Sequence, residues 1–241
     1  MPRFYCSTPL AAGLTVDLPA AVAHHMHVLR LQPGAELTLF NGDGTEYLAH
    51  LSSSDKRHAS ARIALQVMRD AESPFEITLV QALPEASKMD WIIEKAVELG
   101  AAAIQPLAAQ RCVVRLAGER LDKKQAHWQG VIVAASEQSG RNRLARLGVL
   151  DDFRQWIAHQ DLHKRILLSP RGEQSLSSWA RHQPPQALAL MVGPEGGFTA
   201  EEEDAAIARG AICLAMGPRI LRTETAGLAA LATLNSHWGA F

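Results

Sequence analysis

No stretch of this 241-residue chain approaches the run of about 20 apolar residues that a membrane-spanning helix needs. The opening segment, Met1 to Leu10, has no continuous apolar run behind its basic residue, so neither a signal peptide nor a spanning segment is expected, and the expected location is cytoplasmic. Cysteine is scarce. Cys6, Cys112 and Cys213 stand far apart, which excludes a disulfide framework and a paired-cysteine metal knuckle and leaves three ordinary, partly buried thiols. An excess of one charge is also missing: 24 basic side chains face 25 acidic ones, and with 47% apolar residues that balance excludes a disordered chain. The 17 glycines and 12 prolines are ordinary for this length, no internal repeat or low-complexity tract is visible, and no collagen-like or linker-like reading survives. What remains is a globular composition large enough for one big core or two modest ones.

Near-neutrality conceals one local excess. Between 111 and 150, Arg111, Arg115, Arg120, Lys123, Lys124, Arg141, Arg143 and Arg146 are set against only Glu119, Asp122 and Glu137. Such a segment either presents a positive face to phosphates or forms a solvated helix surface.

The first seventy residues read as short strands joined by turns. Segments 35–40, 46–51 and 59–68 alternate as strands do, and Asn41-Gly42-Asp43-Gly44 supplies the positive φ of a tight hairpin. A turn-prone Glu72-Ser73-Pro74 follows, and the domain boundary falls there: a small, mostly β, barrel-like module over 1–72 and a larger unit over 73–241. Beyond it strands alternate with helices, the pattern of an α/β sheet. Segment 75–83 is a strand. Met89, Ile92, Ile93, Ala96 and Val97 define a helix over 88–100 with Ser87 as its cap, and further strands are expected at 166–169, 188–192 and 211–216.

Chemistry concentrates behind the last two strands. Leu188 to Val192 runs into Gly193-Pro-Glu-Gly-Gly197, where glycines let a flat ligand press against the main chain, and Thr199 with Glu202 has capping-box spacing. Neither the GxGxxG nor the GxxxxGK[ST] pattern is present, so dinucleotide and ATP readings lose their support. Strand 211–216 runs into Gly217-Pro-Arg-Ile-Leu-Arg-Thr-Glu-Thr-Ala226 and then a helix of small residues, with Arg222 and Glu224 at its mouth and Thr223 or Thr225 available to cap it. Open α/β sheets place ligands at such strand ends. Glu224 could equally serve the helix dipole, and Arg219 or Arg222 could be surface charge.

These two segments resemble the C-terminal motifs of the ribosomal RNA small subunit methyltransferase E family, a branch of the SPOUT methyltransferases. The helix Lys88 to Gly100 and the segment Glu137-Gln-Ser-Gly-Arg-Asn142 resemble further family signatures. His24-His-Met-His-Val-Leu-Arg-Leu31, with Gly34 and the turn at Phe40 to Gly44, is similar to the family's N-terminal RNA-binding module. The resemblance implies a PUA-like β-barrel followed by an α/β domain with a deep trefoil knot, a homodimer whose site lies near its interface, and no metal. It implies S-adenosylmethionine as methyl donor and N3 of a uridine in 16S ribosomal RNA of the small subunit as acceptor.

Carried onto this chain, the donor site comprises Leu168 together with Val192, Gly193, Glu195, Gly196 and Gly197 of the first motif. Met216, Gly217, Ile220, Leu221, Thr223 and Ala226 come from the second. The motif match makes Arg222 the stabiliser of negative charge at the uracil oxygens and Glu224 the group that positions or accepts the proton. Arg3, Arg30, Arg111, Arg115, Arg141 and Arg143 are the expected RNA contacts, His24, His25 and His27 either touch RNA or pack the small module, and Trp91, Trp128 and Trp156 belong to a core or an interface. Two other readings stay open at this point: a ribose 2′-O methyltransferase of the same superfamily, and a ribosome-assembly factor that binds RNA without turnover.

Overall fold

The hairpin anticipated at Asn41 to Gly44 forms, with Gly42 at φ +90° and Gly44 at φ +99°. The Asp43 carboxylate accepts the Thr45 amide at 2.7 Å and the Tyr47 hydroxyl at 3.2 Å, so one side chain closes the turn its neighbours begin. The structure, a computed structural model, describes residues 1–159 and 163–241. The chain divides into two units, Met1–Glu72 with Ser136–Leu144, and Ser73–Ala135 with Ala145–Phe241.

The first unit contains β1 (Arg3–Tyr5), β2 (Thr15–Asp17), α1 (Ala20–Val28), β3 (Glu36–Phe40), β4 (Thr45–Ser54) and β5 (Ala59–Met68). Its five strands are ordered β1-β3-β4-β5-β2, antiparallel except for β1 against β3. Phe4, Leu37, Leu39, Leu51 and Ile63 fill its core together with Val22, Ala23 and Met26 of α1. That helix is absent from the strands and turns read in this mostly β module. It lacks a side-chain cap, with Pro19 at its start, so the usual entry signal is missing from the sequence.

Segment 136–144 belongs with this unit because its polar groups are used there. The Tyr5 amide donates to Glu137 at 2.8 Å, Arg69 to the Gly140 carbonyl at 2.9 Å, and Asn142 to the Arg69 carbonyl at 2.9 Å. Arg141, buried, forms a bidentate pair with Glu72, and Arg3 bridges Glu46 at 2.7 Å and Asn142 at 2.6 Å. Two of the six arginines expected to hold RNA are thus engaged by carboxylates inside the unit. Arg141→Ala is expected to lower the stability of this unit by about 3 kcal/mol, because it strands the Glu72 carboxylate. Denaturant titration followed by a probe in this unit measures it, and an unchanged midpoint would show that water replaces the guanidinium freely.

The second unit contains β6 (Ile77–Ala82), α2 (Lys88–Glu98), β7 (Ala103–Ala108), the larger part of α3 (Gly118–Ser139), β8 (Arg146–Leu147), β9 (Asp151–Asp152) and α4 (Phe153–Ala158). It continues with β10 (Lys164–Leu168), β11 (Gln174–Ser175), α5 (Leu176–Arg181), β12 (Leu188–Val192), α6 (Ala200–Ala208), β13 (Ile212–Ala215) and α7 (Thr223–Trp238). Eight strands form one sheet in the order β11-β13-β10-β12-β6-β7-β8, with β9 also on β7, and every pairing is parallel. β12 is buried at every position, as expected of an uninterrupted apolar strand covered on both faces. Ser87 occupies the cap position of α2 without a side-chain cap bond, and Gly100 at φ +80° ends that segment. Of the three tryptophans assigned to a core or an interface, Trp128 and Trp156 are buried and Trp91 is 45% exposed. No helix among the described residues is long and apolar enough to cross a membrane.

Candidate active site

Because β13, β10 and β12 are parallel neighbours, their C-terminal ends lie on one edge of the sheet. The sequence reading treats the two glycine turns as following adjacent strands. In the structure β10 separates β12 from β13, and its own turn, Ser169-Pro170-Arg171-Gly172, completes the site. The three turns and the first turn of α7 enclose a cleft of about 600 Å³. All twelve expected donor-binding residues line it: Leu168, Val192, Gly193, Glu195, Gly196, Gly197, Met216, Gly217, Ile220, Leu221, Thr223 and Ala226. Ser169, Pro170, Arg171, Phe198 and Arg219 also line it. A strand followed by a Ser-Pro-Arg-Gly turn is the signal that could have revealed the first three.

Glycine is required at 193 by a close approach. A Cβ there would sit 2.8 Å from the Phe198 nitrogen and 3.0 Å from Gly197 Cα, so the turn folds back on its own main chain. Gly197 at φ +67° and a bond from its amide to the Pro194 carbonyl at 2.8 Å complete the bend. Thr199 then caps α6 as its spacing predicts: Glu202 donates its amide to the Thr199 hydroxyl at 3.2 Å and accepts the Thr199 amide at 2.9 Å. The second Glu202 oxygen accepts the Gln110 amide at 2.8 Å, which leaves this buried carboxylate well bonded.

Capping of α7 follows a different course from the one expected of Thr223 or Thr225. Arg222 occupies the cap position without a side-chain cap bond, and the Thr223 hydroxyl donates to the Gly193 carbonyl at 2.6 Å while accepting from buried Gln81 at 2.9 Å. The start of α7 is thereby tied to the β12 turn and to β6. A Cβ at Gly227 would meet Leu79 at 3.0 Å and Val192 at 3.3 Å, so a small residue lets α7 lie against both strands.

Charge around the cleft is paired. Lys88, the first residue of α2, reaches Glu195 at 2.6 Å and lies 3.9 Å from Glu224. Burial raises the Glu195 carboxyl, but the Lys88 ammonium and the Glu85 amide outweigh it and hold the group below the usual range. Hydrogen bonding to Glu195 raises the Lys88 ammonium in turn. Arg222, its side chain 83% exposed, stands 3.9 Å from the other Glu224 oxygen. Glu224 Oε2 is buried and makes no hydrogen bond among the described residues. Sequence reasoning missed Lys88 as a site residue, since it stands over a hundred positions from either motif.

The remaining expected contacts are distributed. Arg30, Arg111, Arg115 and Arg143 are exposed. Arg111 borders the cleft and donates to the Gly196 carbonyl at 2.7 Å, and Arg115 donates to the Ala109 carbonyl at 3.2 Å. His24, His25 and His27 are exposed, with His25 edge-on to Phe4 at 5.4 Å between ring centroids. Among the described residues no group of three or more His, Cys, Asp or Glu side chains is placed to hold a metal ion.

A family model described as an RNA methyltransferase domain matches residues 71–235, and one described as an RNA methyltransferase PUA domain matches residues 18–64. Ribosomal RNA small subunit methyltransferase E of Bacillus subtilis is 34% identical over 229 residues, covering 92% of this chain and 90% of the relative. A crystal structure of a ribosomal RNA small subunit methyltransferase E from Neisseria gonorrhoeae, bound to S-adenosyl methionine, superposes with a TM-score of 0.92 at 39% identity over 99% of this chain and 98% of that one. A methyltransferase from Legionella pneumophila, in complex with the bound cofactor SAM, gives 0.92 at 35% identity over 97% and 96% of the two chains. With its glycine turns on one cleft and these likenesses over nearly its whole length, the chain belongs to the ribosomal RNA small subunit methyltransferase E family.

Proposed function

We propose that this protein transfers a methyl group from S-adenosylmethionine to N3 of a uridine in 16S ribosomal RNA of the small subunit. The observation that carries this reading is the meeting of the Gly193–Gly197 and Gly217–Leu221 turns in one cleft, with Arg222 and Glu224 on either side of Thr223, which lines it. The cleft fits the donor in size and in chemistry. Apolar walls from Leu168, Val192, Met216 and Leu221 suit a flat purine, and the exposed main chain of the glycine turns suits its ring nitrogens and ribose hydroxyls. Once bound, the donor supplies a methyl group already activated on a sulfonium.

The protein's own residues have the acceptor to prepare. N3 of uracil is an imide nitrogen and a poor nucleophile until its proton leaves, and a positioned base contributes about 10²- to 10⁴-fold to such a step. Glu224 Oε2, buried with an unused lone pair, is the group that accepts or positions that proton. Arg222 stabilises the negative charge that develops on the flanking uracil oxygens. Lys88 orients Glu195 and lies beside Glu224. A uridine in folded RNA must be presented unstacked, and the exposed Arg30, Arg111, Arg115 and Arg143 are the groups that hold its strand. With this reading go RNA binding by the first unit, a trefoil knot in the second, a homodimer with its site near the interface, and action in the cytoplasm.

Calorimetry with S-adenosylmethionine followed by labelled transfer to small ribosomal subunits tests the reading. Saturable binding, a 3-methyluridine in the digested RNA and a light-scattering mass of twice the chain are expected. A ribose methyl would move the protein to the 2′-O class, and donor-independent binding of subunits without transfer would make it an assembly factor.

A further inference from the structure

The charged side chains that line the donor cleft do not balance against what the donor carries. Five line it: Arg111, Arg171, Arg219, Glu195 and Glu203. Each carboxylate already has a cation of its own, Glu195 with Lys88 at 2.6 Å and Glu203 with Arg171 at 3.0 Å, and Arg171 also reaches Asp204 at 2.9 Å. Two guanidiniums are left. Among the described residues Arg111 donates only to neutral carbonyls, those of Gly196 and Phe198 at 2.7 and 3.3 Å, and Glu201 feels its charge without an ion pair. Arg219 is exposed and makes no hydrogen bond or ion pair among the described residues.

A methyl donor with a sulfonium, an ammonium and a carboxylate is a net monocation, so two guanidiniums without a carboxylate partner, in a lining of three arginines against two carboxylates, do not favour it. Their presence fits a second occupant of opposite sign. Guanidinium forks match phosphate oxygens two at a time, and a chain with a net charge of −1 has no bulk field to attract a polyanion, so attraction must come from local groups of this kind. The turn holding Arg219 lies between lining residues Pro218 and Ile220 and leads directly into Arg222 and Thr223.

We propose that Arg219 is an acceptor-positioning residue that grips a phosphate of the RNA strand at the mouth of the donor cleft, with Arg111 as its companion, and takes no part in holding the donor. This rests on the RNA-methyltransferase reading above. Arg219 acts on where the strand lies, whereas Arg222 and Glu224 act on the reacting base.

The test measures RNA and donor binding separately on the full chain. Fluorescence anisotropy with a short labelled single-stranded RNA oligonucleotide, repeated over a salt series, reads the phosphate contacts. Calorimetry with S-adenosylmethionine reads the donor. Arg219→Ala is expected to weaken RNA binding about three- to tenfold at low salt and to flatten the slope of log K against log salt by about 0.7, the value of one lost single-strand phosphate contact. Arg219→Lys keeps most of both, Arg181→Ala on α5 changes neither, and donor affinity stays within about twofold throughout. An equal fall in donor affinity would assign Arg219 to the donor's carboxylate and overturn the proposal, and an unchanged salt slope would show that it meets no phosphate. Wild-type protein that binds donor but no RNA would fail the acceptor reading itself, and Arg219's role with it.

Discussion

Replacing Arg222 by alanine is expected to lower the rate of methyl transfer by about 10²- to 10³-fold while leaving donor affinity within about threefold. The asymmetry follows from its place. Arg222 does not line the cleft, although both of its sequence neighbours, Leu221 and Thr223, do. Its side chain makes no cap bond to α7, so truncation removes no helix stabilisation of that kind. Its approach to Glu224, 3.9 Å with the guanidinium 83% exposed, is too solvated to contribute much to folding. What remains is an exposed positive charge 3.9 Å from Glu224 Oε1, whose other oxygen, Oε2, is buried without a hydrogen-bond partner among the described residues, and on the proposed reading that charge matters only when negative charge develops on the acceptor. Single-turnover rates on small ribosomal subunits, set against calorimetric donor binding and a thermal melt, separate the possibilities. Equal loss of rate and affinity would mean that the arginine shapes the cleft, and loss of thermal stability would mean that the weak pair with Glu224 holds α7 in place.

How far the site was legible depends on whether a signal is local. The Leu188–Val192 strand and the Thr199–Glu202 capping box were readable to the residue because each is written in one short segment. Of the twelve expected donor residues, all but Leu168 were likewise carried by two contiguous motifs. Strand order was not readable. β10 lies between β12 and β13 although it precedes both in the chain, so its turn went unnoticed as a third wall. Helix α1 was lost because it begins at a proline with no acidic residue in its first turn and buries only Val22, Ala23 and Met26. For the arginines, charge is written in the sequence and pairing is not. Arg141 and Arg219 look alike as letters, yet one is buried against Glu72 and the other lines the cleft without a partner among the described residues. Lys88 shows the same limit, since only folding brings it to Glu195 and Glu224.

Gly172 is the sharpest case of a position that only three dimensions reveal, and Gly172→Ala carries the second large expected effect. Donor affinity should fall by at least about tenfold and stability by roughly 2 to 3 kcal/mol. An added Cβ would lie 2.5 Å from both the Ala215 nitrogen and the Leu214 carbonyl carbon, and 2.8 Å from Leu214 Cα. All three are main-chain atoms of β13, so no flexible side chain can swing aside and the strand itself must shift. That strand is fastened to the same turn, since the Ser169 amide donates to the Leu214 carbonyl at 3.1 Å and β11 pairs Gln174 with Leu214 and Ser175 with Ala215. Ser169 to Arg171 on one side and Met216 with Gly217 on the other are cleft walls, so parting them deforms the donor site directly. Gly217→Ala supplies the contrast. Gly217 has φ +93° and nothing among the described residues within 4 Å of an added Cβ, so its cost to stability is confined to left-handed backbone strain of about 1 to 2 kcal/mol, and any loss of donor affinity comes from the methyl group standing in the cleft rather than from a displaced strand. Calorimetric titration and thermal melts of both variants measure the difference. If Gly172→Ala binds donor as tightly as the unaltered protein, β13 yields without moving the cleft wall, and the rigidity argued for this edge of the sheet is wrong.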